Sequence, residues 1–213
     1  MPGGRPREFD AEVALEQAME VFWRQGYDGT SLSDLTVAMD INRPSLYAAF
    51  GNKERLFELV LDRYAHGPAA YATAALDLPT AREVVERLML GAVELTAGRG
   101  CLHSGNAQSC APASEPVRRA VVTRRRASSA AVRHRLEKAK DQGDLPPGAD
   151  PATLADYVAT VCDGIAAQAA NGVDAEDLRR VVAVAMRALF GERREEPVAE
   201  VAHPPDRRVR ARP

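Results

Sequence analysis

The chain has 213 residues, 46 % of them hydrophobic and 27 % charged, and a formal net charge of −2. This is enough apolar material for a buried core. No apolar run approaches the roughly 20 residues needed to span a bilayer, and with no basic excess a nucleic-acid site has to be a local patch.

Alanine and valine dominate the apolar set and aromatics are 5 % of the chain, which favours closely packed helices over aromatic clusters. The basic residues are nearly all arginine, with lysine only at Lys53, Lys138 and Lys140. Beside the abundant Ala, Gly and Pro, this reads as the coding bias of a GC-rich genome. Cys101, Cys110 and Cys162 are an odd set, and Met1 to Asp10 holds no hydrophobic leader. Both features point to reduced thiols and a cytoplasmic location.

Residues 1–8 are Gly/Pro-rich, carry Arg5 and Arg7, and read as a flexible arm. Helical spacing of Ala14, Leu15, Ala18, Met19 and Phe22 predicts a helix from about Phe9 to Gln25, stopped by Gly26. Ser31 and Asp34 form a capping-box pattern for a short helix carrying Leu35, Ala38 and Met39. After a turn at Asp40 and Ile41, Asn42 caps a second short helix with Pro44 in its first turn and Leu46 and Phe50 inward. Gly51 ends it, and Asn52 caps a long helix carrying Leu56, Phe57, Val60, Leu61 and Tyr64. Further helices are expected at Ala81–Thr96, near Cys101–Cys110, at about Glu115–Gln142, from Pro151 to Gly172, and from Asp174 to about Phe190. The tail from Glu192 is charged and Pro-rich. No strand-like alternation appears, so the fold class is all-α.

Two short helices joined by a tight turn, between two longer ones, make a helix-turn-helix unit, whose second helix enters the major groove. From Ile41 to Lys53 there is no acidic residue, although residues 1–63 hold more acids than bases. Arg43 can donate to a guanine edge, Ser45 and Tyr47 to phosphates or bases, and Lys53 to a phosphate beside free helix N–H groups. Small Ala48 and Ala49 permit close approach. From periodicity alone, a helical bundle with a solvated polar face stays equally open.

The stretch Phe22–Phe57, FWRQGYDGTSLSDLTVAMDINRPSLYAAFGNKERLF, resembles the TetR/AcrR family of bacterial regulators. The resemblance rests on Gly26-Tyr27, Thr30-Ser31, Ser45-Leu46-Tyr47 with Phe50, and Asn52-Lys53-Glu54. It implies a DNA-binding domain over residues 1–63 and a ligand-binding and dimerisation domain over 64–191, ahead of the tail, 192–213. It implies DNA contacts at Thr30, Ser31, Ser33, Arg43, Pro44, Ser45, Tyr47 and Lys53. It also implies a homodimer through the last two helices, acting on a palindromic double-stranded operator and answering to a small-molecule effector, usually as a repressor. Asp40 stands where the family usually has Gly, a position Asp tolerates better than most residues.

The last two helices suit that role. Leu154, Val158, Val161 and Ile165 line one, with small Ala155, Ala159, Cys162 and Ala166; Leu178, Val181, Val182, Ala185 and Leu189 line the other. The same stripes would equally serve as monomer core. Candidate effector-lining residues are Met89, Leu90, Leu102, Asn106, Tyr157 and Val161. Cys101, His103 and Cys110 lack a conventional zinc spacing, so no metal and no cofactor is expected. A cysteine-based redox sensor on the same scaffold is the alternative regulator. The arginines around Arg124-Arg125-Arg126 read as a solvated face or a second nucleic-acid surface. The four scattered histidines, with no phosphate loop, nucleophile elbow or HExxH pair, give no enzyme signature.

Overall fold

The computed structural model describes residues 9–103 and 114–191. Among these, every regular element is a helix. Helix α1 (Ala11–Gly29) starts at Asp10, whose carboxylate accepts from the amides of Glu12 and Val13. Gly26, at φ 70°, breaks the helical path one turn before the end, as its place in the sequence predicts. Helices α2 (Leu32–Ala38) and α3 (Arg43–Phe50) follow, then α4 (Lys53–His66). A short α5 (Ala70–Ala75), not anticipated from the sequence, leads to α6 (Ala81–Thr96). The long α7 (Glu115–Asp141), α8 (Pro151–Ala170) and α9 (Ala175–Phe190) complete the fold.

Capping explains these boundaries. The Ser31–Asp34 and Thr80–Glu83 capping boxes are formed, and Asn42, Asn52, Asp150 and Asp174 each accept from backbone amides of the helix they begin. Such caps typically contribute about 1 kcal/mol each. Most of the helix expected near Cys101–Cys110 lies outside the described residues.

Two apolar cores form. The first joins α1–α4 and is aromatic: Phe22 stands edge-on to Phe57 at 4.9 Å between centroids, and Trp23 edge-on to Tyr64 at 4.9 Å. The composition argued against aromatic clusters, but a percentage does not say where the few rings go; they are concentrated here. Leu102 and, from α7, Val117 and Val121 are buried in this same core. The second core, of small aliphatic residues, joins α6, α8 and α9 with Leu136 and Ala139 of α7.

Arginines knit the two together. Arg124 bonds Asp62 of α4 at 2.7 Å, Arg125 bonds Asp163 of α8, and Arg135 donates to the carbonyls of Leu76, Leu78 and Pro79 at 2.8–3.0 Å. These three arginines are therefore engaged within the chain and are not a free nucleic-acid surface.

Candidate nucleic-acid interface

The turn between α2 and α3 decides how α3 is presented. Asp40 is at φ 49°, a left-handed position that its short polar side chain tolerates. Its N–H donates to Val37 O at 3.3 Å and that of Ile41 to Thr36 O at 3.1 Å, the bond pair of a Schellman helix end. The sequence expectation that Asp would serve here in place of Gly holds.

Helix α3 then projects from the surface. Leu46 and Phe50 are buried and anchor it to the first core, while Arg43, Pro44, Tyr47, Ala48 and Ala49 face outward. Tyr47 is 49 % exposed, much for a tyrosine on a helix so firmly anchored. The Oδ1 of Asn42 accepts from Ser45 N at 2.8 Å. Arg43 Nη2 donates to Ser33 Oγ of α2 at 3.0 Å, so the guanidinium lies along the α2–α3 junction rather than extending freely.

Lys53, first residue of α4, places its Nζ 4.2 Å from the centroid of the Tyr27 ring. Partial burial lowers its pKa, against the opposing pull of Asp28 and Asp34. Ser31 and Ser33 are exposed on α2. Thr30 alone among the expected contacts is buried, its hydroxyl donating to Gly26 O at 2.7 Å across the break in α1. Its side chain closes the turn instead of facing out.

Glu12, Glu16 and Glu20 of α1 are paired with arginines elsewhere. Arg63 of α4 binds Glu12 and Glu16, and Glu20 pairs with Arg24 and Arg99. The acid-free run from Ile41 to Lys53 is thus set on one exposed end of the molecule, with Arg43 and Lys53 as its cations.

A family model described as bacterial regulatory proteins, tetR family, matches residues 14–60. Another, described as tetracyclin repressor-like, C-terminal domain, matches residues 78–188. The HTH-type transcriptional repressor ComR of Escherichia coli strain K12 is 31 % identical over 192 residues, 86 % of this chain and 90 % of that protein. The chain belongs to the TetR family of bacterial regulatory proteins. The repressor BdcR of the same strain is 30 % identical, over 87 % of this chain and 92 % of its own length. A cysteine-mutant form of the TetR family regulator CifR, solved in complex with 26-bp double-strand operator DNA, is 43 % identical. It superposes with a TM-score of 0.81 over 86 % of this chain and 99 % of that one.

The C-terminal part of this TetR-family regulator holds a cavity of about 180 Å³ bounded by α4, α5, α6, α7 and α8. Its polar wall includes Tyr64, Tyr71, Thr96, Ser128, His103 and Asp163. Of the lining residues expected from the sequence, none of the five that are described borders it. Met89 is buried in the second core, and Leu90 and Val161 pack against that core. Leu102 is buried in the first core, Tyr157 is exposed on α8, and Asn106 lies outside the described residues. The sequence alone could not separate core from cavity wall.

Burial, and after it Arg124 and Arg125, pushes the imidazole of His103 down to about 4. Burial, and after it Asp163 and Cys101, pushes the Cys162 thiol up to about 12, so this cysteine is held as an unreactive thiol. Cys110 is outside the described residues. Among those residues no group of three or more His, Cys, Asp and Glu is arranged to hold a metal ion, and no helix is long and apolar enough to cross a membrane.

Proposed function

We propose that this chain is a repressor that binds a palindromic operator as a homodimer, with α3 in the major groove, and is released by a small molecule held in its C-terminal part. The observation that carries the reading is the outward face of α3: Arg43 and Tyr47 are exposed while Leu46 and Phe50 root the helix in the core. The likeness to CifR, solved on operator DNA, supports the same use of this face. Arg43 reads a base edge, Ser31, Ser33, Ser45 and Tyr47 bond phosphates or bases, Pro44 packs against the backbone, and Lys53 neutralises a phosphate at the N-terminus of α4. Thr30 contributes through the shape of its turn.

Dimerisation through α8 and α9 is supported by what those helices leave uncovered. Their expected stripes are largely spent on the monomer's own core, with Leu154, Val158, Ile165, Leu178 and Val182 buried. Outside, α8 presents Tyr157, Thr160 and Gly164 at helical spacing, and α9 presents Val181, Val184 and Ala188. Nothing lies within 4 Å of where a Gly164 side chain would begin, leaving room for close approach of a partner helix. Two-fold symmetry then sets two α3 helices about one DNA turn apart, or a multiple of it.

Release follows if the effector binds one arrangement of the dimer better than the one that fits the operator. Electrophoretic binding to the region upstream of the chain's own gene tests the reading. A discrete complex with a palindromic segment is expected, and a dimer that treats such segments and scrambled duplexes alike overturns it.

A further inference from the structure

The cavity between α4, α5, α6, α7 and α8 limits what the effector is. At about 180 Å³ it is smaller than the pockets that hold drug-sized ligands, which suits a small molecule.

Its polar groups narrow the class further. Among the described residues nothing hydrogen-bonds the buried Nε2 of His103, whose ring lies edge-on to Tyr64 at 4.9 Å. A buried unpaired nitrogen is costly, and a ligand atom that completes its hydrogen bond removes that cost. Among the described lining residues Asp163 is the one Asp, Glu, Lys or Arg, and both its carboxylate oxygens bond Arg125 of α7. The carboxylate and guanidinium are matched to each other within the chain, so a charged ligand of either sign would have to disrupt that pair to gain a counter-ion. Much of the remaining wall is alanine.

We infer that this cavity takes a small uncharged molecule carrying a hydroxyl or carbonyl group, bound through Nε2 of His103. The inference rests on the proposed control by an effector and names that effector's chemical class. Nε2 acts as donor or acceptor according to tautomer, and a hydroxyl answers either.

The chain supplies its own reporter. Trp23 is the single tryptophan, and its ring stands edge-on to the cavity residue Tyr64 at 4.9 Å. Trp23 emission of the full-length dimer is titrated, with no DNA present, with benzyl alcohol, toluene, benzoate and benzylammonium, four probes of similar size. Benzyl alcohol is expected to shift the emission saturably and to bind about tenfold tighter than each of the other three, the worth of one good hydrogen bond or one avoided buried charge. His103→Leu should erase the preference for benzyl alcohol over toluene, and His103→Gln should retain part of it. Equal or tighter binding of benzoate or benzylammonium, no saturable shift with benzyl alcohol, or a preference that survives His103→Leu overturns the proposal. Should His103→Leu fail to fold by circular dichroism, the four-probe series on the unaltered protein decides alone. Occupancy is read without DNA, so a failed operator experiment leaves this result intact. Saturable binding that leaves operator affinity unchanged upholds the site and overturns effector control.

Discussion

The indole N–H of Trp23 donates to the carbonyl oxygen of Gly100 at 2.8 Å, a buried bond between α1 and the segment that follows α6. Arg99 lies over the same indole at 3.7 Å and pairs with Glu20 of α1. One residue beyond Gly100, the Cys101 thiol is 3.5 Å from the Tyr64 hydroxyl at the cavity. The helix that opens the DNA-binding part is thus tied directly to the wall of the cavity. Trp23→Phe keeps an aromatic ring but leaves the Gly100 carbonyl unpaired. It should cost about 1–3 kcal/mol in urea unfolding and blunt the effect of a cavity ligand on operator affinity. A variant with undiminished stability and response would show that the bond transmits nothing.

Tyr71 occupies the notch left by Gly91. A Cβ built at Gly91 would fall 2.1 Å from the Tyr71 ring, so glycine in the middle of α6 is a packing requirement. Gly91→Ala gains about 1 kcal/mol of helix propensity but overpacks the site by about 1–3 kcal/mol, and the ring must move into the cavity. The expected result is a lower Tm and weakened ligand binding. Combined with Tyr71→Ala, the stability loss should fall short of the sum by about 1 kcal/mol; strict additivity would count against the contact.

His103 gives the fold a pH dependence. Burial, then Arg124 and Arg125, hold its folded-state pKa at about 4 against an ordinary 6.5. As pH falls below 6.5 the unfolded chain takes up a proton that the folded chain refuses until about 4, so stability is full above 6.5 and drains away between those values. By pH 5 the loss from this group is about 2 kcal/mol. Urea midpoints across this range check it, and His103→Gln should remove that component of the slope. A slope unchanged by the substitution would place its origin elsewhere.

Arg43 and Lys53 should fail differently on DNA. Arg43→Ala is expected to cost about 1–3 kcal/mol on the operator with little change on random duplex. Lys53→Gln should weaken both alike and reduce the slope of log affinity against log salt by about 1. Anisotropy titrations over a salt series separate the two patterns, and the reverse assignment would exchange their roles.

The DNA-binding half was the more legible in sequence because its signals are local. Ser31, Asn42 and Asn52 cap their helices within three residues, Gly26 and Asp40 mark backbone turns, and Leu46 with Phe50 gives α3 its inward face. Thr30 misled because a hydroxyl beside a helix start reads as surface, whereas here it bonds back to Gly26 O. The cavity was not legible. Its wall joins Tyr64, Tyr71, His103 and Asp163 from separate parts of the chain, and helical period reports only that a residue points inward. Gly91 was the available clue: a glycine within a strong amphipathic helix signals close approach of another group, and that group is Tyr71. The α8 and α9 stripes expected to pair two subunits mark chiefly the faces turned to the monomer's own core.

The most direct test of the central claim is selection of duplexes from a randomised pool by the unaltered protein and by Arg43→Ala in parallel. The account predicts that the unaltered dimer enriches an inverted repeat with a fixed guanine in each half-site, and that Arg43→Ala loses the preference at that guanine while keeping the repeat. Enrichment of no inverted repeat, or an identical sequence preference from both proteins, would contradict it.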